Sequence, residues 1–142
     1  MRYSTTPLTR DTSTGTNYEK RIDILLEENK IKYQSQVFIG IKRNGKRHKV
    51  DLIIDNTLVS LKHQEVGGTA EEKVPFEFMK LQHAVEDYKY DNAIIVLSGD
   101  TGWTWKKYYL SDEFKQSMKI LYPDVMIISH ENFITLYDLK LS

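Results

Sequence analysis

Residues 36–62, QVFIGIKRNGKRHKVDLIIDNTLVSLK, decide the fold. Apolar and polar residues alternate in period two through 36–43 and again through 47–54, the rhythm of strands with one buried face. Between them stands Asn44-Gly45, a pair suited to a tight hairpin turn, and Asp55-Asn56 leads into a third strand over 57–62. The stretch therefore predicts a three-stranded antiparallel meander. Two-residue turns at both places set a register in which Asp51 lies opposite Ser60 and diagonal to Lys62. One face then collects Val37, Ile39, Ile41, Val50, Leu52, Ile54, Val59 and Leu61 as core. The other collects Phe38, Gly40, Lys49, Asp51, Ser60 and Lys62, so that a carboxylate and an ammonium meet on it.

Upstream, Tyr18, Ile22, Leu25 and Leu26 recur at helical spacing, and Thr16 with Glu19 three residues on has the form of a capping box. A helix over about 17–29 is expected, preceded by a flexible Ser/Thr-rich arm over 1–15. Downstream of Gly67-Gly68, Pro75 suits the first turn of a helix reaching Tyr88, with Phe78, Leu81, Val85 and Tyr88 as its buried stripe. Residues 93–98, AIIVLS, form a short continuous apolar run ended by Gly99, as in a strand covered on both faces. Ser111 caps a helix to about Leu121, Pro123 ends it, 125–129 is a further strand, and 131–139 closes as a helix. The expectation is one mixed α/β domain over 16–142.

At 142 residues and 40% hydrophobic content the chain has material for one core. No apolar run approaches a membrane span and the first residues lack the apolar stretch of a signal peptide, so a cytoplasmic protein is expected. Without cysteine there is no disulfide framework and no thiolate metal site, which leaves oxygen or imidazole ligands and points to hard ions. Twenty basic residues balance twenty acidic ones, but Lys42, Arg43, Lys46, Arg47, His48 and Lys49 crowd into one stretch. That stretch is either a solvated hairpin tip or a positive field beside the strand carrying Asp51.

Hydrolysis of a phosphodiester calls for a divalent ion held by oxygen ligands, with a lysine close by to steady developing charge or orient water. Asp51 and Lys62 meet these needs. The order of parts is a helix bearing Glu19, a meander bearing Asp51 in KVDLI and Lys62 in SLKHQ, then a helix and a strand. From Thr16 to Ser98 this resembles the PD-(D/E)XK nuclease superfamily, whose core runs α-β-β-β-α-β. The resemblance implies a restriction-endonuclease-like αβββαβ core with a C-terminal α-β-α extension. It also implies an endonuclease that hydrolyses DNA with Mg2+, Mn2+ being able to substitute.

One departure matters, because the acidic residue of the (D/E)xK tripeptide is here Ser60. Some restriction endonucleases similar in this respect carry Ser there and supply the carboxylate from the following helix. That helix offers Glu77 in PFEFMKL, preferred over Glu71 and Glu72, which lie in or before the first turn. The resemblance thus implies catalytic roles for Asp51, Lys62 and Glu77, with the metal on Asp51 and Glu77 and on Glu19 as an auxiliary ligand. For Glu19 a capping role alone is the competing reading.

Nucleic-acid contacts are expected from Lys46, Arg47, Lys49, Ser60, Gln64, Gly68 and Thr69, the glycine loop offering amide donors to a phosphate. Trp103 and Trp105 suit either base stacking or loop packing, and His63 and His83 stay outside the proposed centre. The partner implied is double-stranded DNA, cut by a homodimer of a small type II restriction-type enzyme or by the catalytic subunit of a larger restriction assembly. The alternatives are a repair, phage or junction-resolving nuclease, and a catalytically dead nuclease-fold module that binds nucleic acid.

Overall fold

A computed structural model describes residues 14–65 and 70–141, with side chains described from residue 17. The elements are α1 (Thr14–Glu28), β1 (Tyr33–Ile41), β2 (Arg47–Ile54), β3 (Thr57–His63), α2 (Val74–Tyr88), β4 (Asn92–Ser98), α3 (Lys106–Tyr109), α4 (Asp112–Leu121), β5 (Val125–Ser129) and α5 (His130–Leu136). A short 3-10 turn over Glu71–Lys73 leads into α2. The expected mixed α/β core and its C-terminal extension are both present. The arm expected over 1–15 falls almost wholly outside the described residues.

One five-stranded sheet runs β1-β2-β3-β4-β5. The first three strands are antiparallel, and β4 and β5 join parallel to β3. β4 is the strand that the apolar run foretold. Its residues alternate between two cores, Ala93, Ile95 and Leu97 facing α2 and α4, Ile94 and Val96 facing α1 and α5. On the first side Phe78 and Leu81 of α2 meet Phe114 of α4; on the second, Tyr18, Ile22 and Leu26 of α1 meet Phe133 of α5. Each such fully buried side chain contributes about 1.5–3 kcal/mol by leaving water.

Local signals end the elements as their chemistry directs. Pro75 occupies the first turn of α2, and Lys89 caps its end in the left-handed conformation. The Ser111 hydroxyl accepts the Phe114 N–H at the start of α4, and Ser129 does the same for Asn132 at the start of α5.

Four expectations need correction. First, α1 begins at Thr14, ahead of the Thr16–Glu19 pair, so Glu19 lies in the second turn and has no capping-box duty. Second, the hairpin turn is longer than two residues. The Gly45 N–H bonds the Lys42 carbonyl and the Lys42 N–H bonds the Lys46 carbonyl, with Gly45 at φ 89°, so Arg43 and Asn44 form the turn and Gly45 the left-handed residue after it. Phe38 accordingly pairs with Lys49 and Val37 with Val50, with a bulge between Phe38 and Gly40.

Third, the core face of the meander is not continuous. Leu52, Ile54, Val59 and Leu61 pack on the α1 side, but Val50 packs on the α2 side, with Val37 and Ile39 against it, and Ile41 is exposed. The outer half of the hairpin has turned over. The cause lies at Gln36, which sits at φ 53° between the paired residues Ser35 and Val37, across from Asp51. Fourth, the stripe on α2 is shorter than expected: Phe78, Leu81 and Val85 are buried, whereas Tyr88 lies partly exposed over Gly40 and bonds both the N–H and the carbonyl of Ile41 at 2.7 Å.

Candidate active site

The register between β2 and β3 is the expected one, Ile54 with Thr57, Ile53 with Leu58 and Leu52 with Val59, and there the ladder stops. Beyond it the strands part. The next inward-looking donor, the Leu61 N–H, bonds Oδ2 of Asp51 at 2.7 Å, so a side-chain carboxylate takes the place of a strand carbonyl. Asp51 is thereby fixed in the fork between two strands.

Glu19 reaches the fork from α1. Its carboxyl group is hydrogen-bonded to that of Asp51, and Oε1 accepts the Gln36 Nε2–H at 2.8 Å. Burial, then the charges of Asp51 and Asp23, push the Glu19 carboxyl up to about 7. Asp51 is raised in turn, chiefly by burial, against the opposing pull of the Leu61 N–H and Lys62. Two neighbouring carboxylates in a half-dry site hold protons more tightly than free ones do.

Glu77 enters from α2 on the opposite side of the sheet. It is 6% exposed, and Oε1 lies 3.5 Å from Lys62 Nζ and 3.1 Å from Lys80 Nζ. Burial drives its carboxyl up, but the charges of Lys62 and Lys80, with hydrogen bonds from Lys80 and Ser60, outweigh burial and leave it below the ordinary range. Ser60, which stands where the tripeptide acid is missing, is thus a neighbour of the helix carboxylate. Glu77 also acts on Asp51 electrostatically, so the fork gathers Asp51, Lys62, Glu19 and Glu77 in one field.

The rival acids are placed differently. Glu71 is buried, and its carboxylate accepts the Thr104 N–H at 2.8 Å, the Thr104 hydroxyl at 2.7 Å and the Trp105 N–H at 2.9 Å, pinning that loop to the entry of α2. Glu72 is exposed. Among the described residues no three His, Cys, Asp or Glu side chains form a group that could hold a metal in the present arrangement, Glu77 being engaged by its lysines.

Of the residues expected to meet nucleic acid, Lys46, Arg47 and Lys49 are exposed on the hairpin, with the Arg47 guanidinium 4.3 Å over the Phe38 ring. Ser60 is buried against Glu77. Gln64 is buried too; its amide donates to the Gly102 carbonyl at 2.6 Å and accepts the Ala70 N–H at 3.1 Å, so it ties two loops together. Gly68 and Thr69 lie outside the described residues. Trp103 packs inward and donates to the Ser98 carbonyl, while Trp105 is 54% exposed. His63 stacks on Tyr18 and meets the Ser98 hydroxyl at 2.5 Å, on the side of the sheet away from Glu77. His83 lines a surface groove with His48 and Phe76.

Two contributors were not foreseen. Lys80 stands three residues after Glu77, a spacing that puts both on one helix face and that the sequence displays openly. Gln36 gave no such signal, because its role depends on a backbone conformation.

No functionally curated protein shows significant similarity to the chain. Among solved structures, a protein of unknown function designated AF1548 matches at 14% identity with a TM-score of 0.46. That match covers 79% of this chain and 56% of the other, so the chain spans little more than half the length of that protein. A family model described as the PD-(D/E)XK nuclease superfamily domain matches residues 10–137. With that match spanning the sheet, its covering helices and the fork at Asp51, the chain belongs to the PD-(D/E)XK nuclease superfamily.

Proposed function

We propose that the chain is a divalent-metal-dependent endonuclease that hydrolyses phosphodiester bonds in DNA. Asp51, Glu77 and Lys62 would form its reacting centre, with Glu19 as auxiliary. The observation that carries the reading is the gathering of these four side chains at the fork between β2 and β3.

The donor set suits a hard cation. Burial first, and then a neighbouring carboxylate charge, that of Asp51 on Glu19 and that of Glu77 on Asp51, raises the affinity of both groups for a proton, and a cation relieves the same repulsion that a proton does. Asp51, Glu77 and Glu19 would hold Mg2+, or Mn2+ in its place, Glu77 exchanging lysine contacts for the ion. When bound, such an ion polarises the phosphoryl oxygen and lowers the pKa of water. Lys62, partly exposed and steadied by Glu77, would set its ammonium against the charge that grows on phosphorus-bound oxygens, or orient the water that attacks in line.

Lys46, Arg47 and Lys49 are exposed on the hairpin and would contact the phosphates of double-stranded DNA. On this reading the protein works in the cytoplasm as a restriction-type enzyme, each protomer of a homodimer cutting one strand, or as the catalytic subunit of a larger assembly. A second reading, a nuclease-fold module that binds nucleic acid without cutting it, draws on Ser60 and on the lysine-occupied Glu77. One assay separates them. Supercoiled plasmid is incubated with the protein and Mg2+ or Mn2+, with a chelator control, alongside Asp51→Ala, Lys62→Ala and Glu77→Ala. Cleavage by the parent and its loss in all three variants is expected; a parent that fails to cut with either ion leaves only the binding module.

A further inference from the structure

Five non-glycine residues among those described have positive φ: Lys30, Gln36, Asp55, Lys89 and Asp138. Four lie where chains ordinarily turn left-handed. Lys30, Lys89 and Asp138 follow the ends of α1, α2 and α5, and Asp55 sits in the β2–β3 turn. Gln36 alone lies inside a strand. An L-residue there is disfavoured by contact between its Cβ and the following carbonyl, and glycine would avoid it.

The backbone there turns the outer hairpin over, but nothing in the core calls for the side chain. That side chain is exposed and packs in neither hydrophobic cluster. What the conformation achieves is directional. It interrupts the β1–β2 ladder at the level of Asp51 and delivers the Gln36 amide to Glu19 Oε1 at 2.8 Å, while the same carboxyl group bonds Asp51. One oxygen of Glu19 is thus held from outside the fork and the group is aimed inward.

We propose that Gln36 is a positioning residue for the Glu19–Asp51 carboxylate pair, its left-handed backbone handing its amide to Glu19. The proposal rests on the reading of this pair as cation-holding. It implies that the position sets stability against ion affinity. Gln36→Gly frees the backbone and removes the amide. Gln36→Asn keeps a residue that tolerates the left-handed region, with an amide one methylene too short to reach Glu19.

The test measures thermal unfolding of the metal-free protein and Mn2+ binding by titration calorimetry for the parent and both variants. Expected is a melting temperature unchanged or raised by up to about 4 °C in Gln36→Gly, with Mn2+ affinity lowered about three- to tenfold in both variants, the worth of one hydrogen bond to a charged group at an exposed position. Equal Mn2+ affinity in parent and variants overturns the positioning role and leaves the nuclease reading intact. Loss of melting temperature together with affinity makes Gln36 a structural residue and also overturns it. A parent that binds no Mn2+ removes the cation-holding reading itself.

Discussion

Asp51→Asn should remove catalysis and make the protein more stable, with a gain that depends on pH. Glu19 is raised from 4.5 to about 7 in the fold, by burial first and by the Asp51 charge next. At about 1.4 kcal/mol per pKa unit the rise is worth roughly 3 kcal/mol at full strength. Glu19 is only half-buried, and solvent screening reduces this to about 1 kcal/mol. The sign follows from linkage. Between pH 4.5 and about 7 the folded state holds a proton that the unfolded state has released, so stability is whole below this window, falls through it, and stays reduced above. Asp51 is raised too and adds to the same slope. The substituted asparagine would still accept the Leu61 N–H through its side-chain carbonyl, and its amide would donate to an ionised Glu19, so the repulsion disappears. Because the burial of Glu19 persists, the variant should exceed the parent by up to about 1 kcal/mol at pH 8, up to about 3–4 °C in melting temperature, with little difference at pH 4.5. Urea denaturation at pH 4.5, 6 and 8 measures this, and plasmid cleavage measures the loss of activity. A variant no more stable than the parent at pH 8, or one with the parent's pH slope, would refute the account of a strained carboxylate pair.

Glu77→Gln should behave oppositely in stability, losing about 1–3 kcal/mol at pH 7 because two ammonium groups lose their shared buried partner, the figure kept low by the partial exposure of Lys62 and Lys80. Its pKa is depressed in the fold, so the loss should shrink as pH falls through the acidic range where the parent's Glu77 takes up its own proton. Glu71→Gln should lower stability through the Thr104 and Trp105 contacts and leave plasmid cleavage in place, whereas Glu77→Gln should abolish cleavage; the reverse pattern would transfer the third carboxylate to Glu71. Gly40→Ala would set a Cβ into the Tyr88 ring at φ 144°, expelling the ring that ties Ile41 to α2, and should cost about 2–4 kcal/mol in chemical denaturation.

The parts of the fold that periodicity and turn chemistry govern were legible. The Asp55-Asn56 turn gave the β2–β3 register as far as Leu52 and Val59, beyond which the expected pairing of Asp51 with Ser60 gives way to the bond from the Leu61 N–H to Asp51; the apolar run 93–98 gave the doubly covered strand. The hairpin register was missed because Gly45 closes a longer turn than Asn44-Gly45 alone suggests. The flip of the outer hairpin was missed because a left-handed glutamine inside a strand leaves no compositional trace. Helical spacing between Glu77 and Lys80 was visible, but which face of α2 meets the sheet is settled by packing. Thr16 and Glu19 matched a cap by pattern while the helix began earlier, so the short motif competed with helix extension and lost.

The location of the fork follows from the sheet itself. β3 is where antiparallel pairing gives way to parallel pairing: it meets β4 along Thr57–His63 but β2 only along Thr57–Val59. The β2-facing edge of β3 beyond Val59 therefore carries a donor, the Leu61 N–H, that no strand satisfies, and Asp51 supplies the acceptor. On the proposed reading the carboxylate would have two duties, one to the fold and one to the chemistry, and two substitutions should separate them. Asp51→Asn keeps the acceptor and removes the charge. Asp51→Ala removes both and leaves the Leu61 N–H of a largely buried strand without a partner, a loss of about 1–3 kcal/mol. Both variants should be inactive, yet Asp51→Ala should unfold at lower urea than Asp51→Asn by that amount, and hydrogen exchange at Leu61 should quicken only in the alanine variant. Equal stability of the two would mean that the fork opens for reasons other than the reach of Asp51, and would leave its carboxylate with the chemical duty alone.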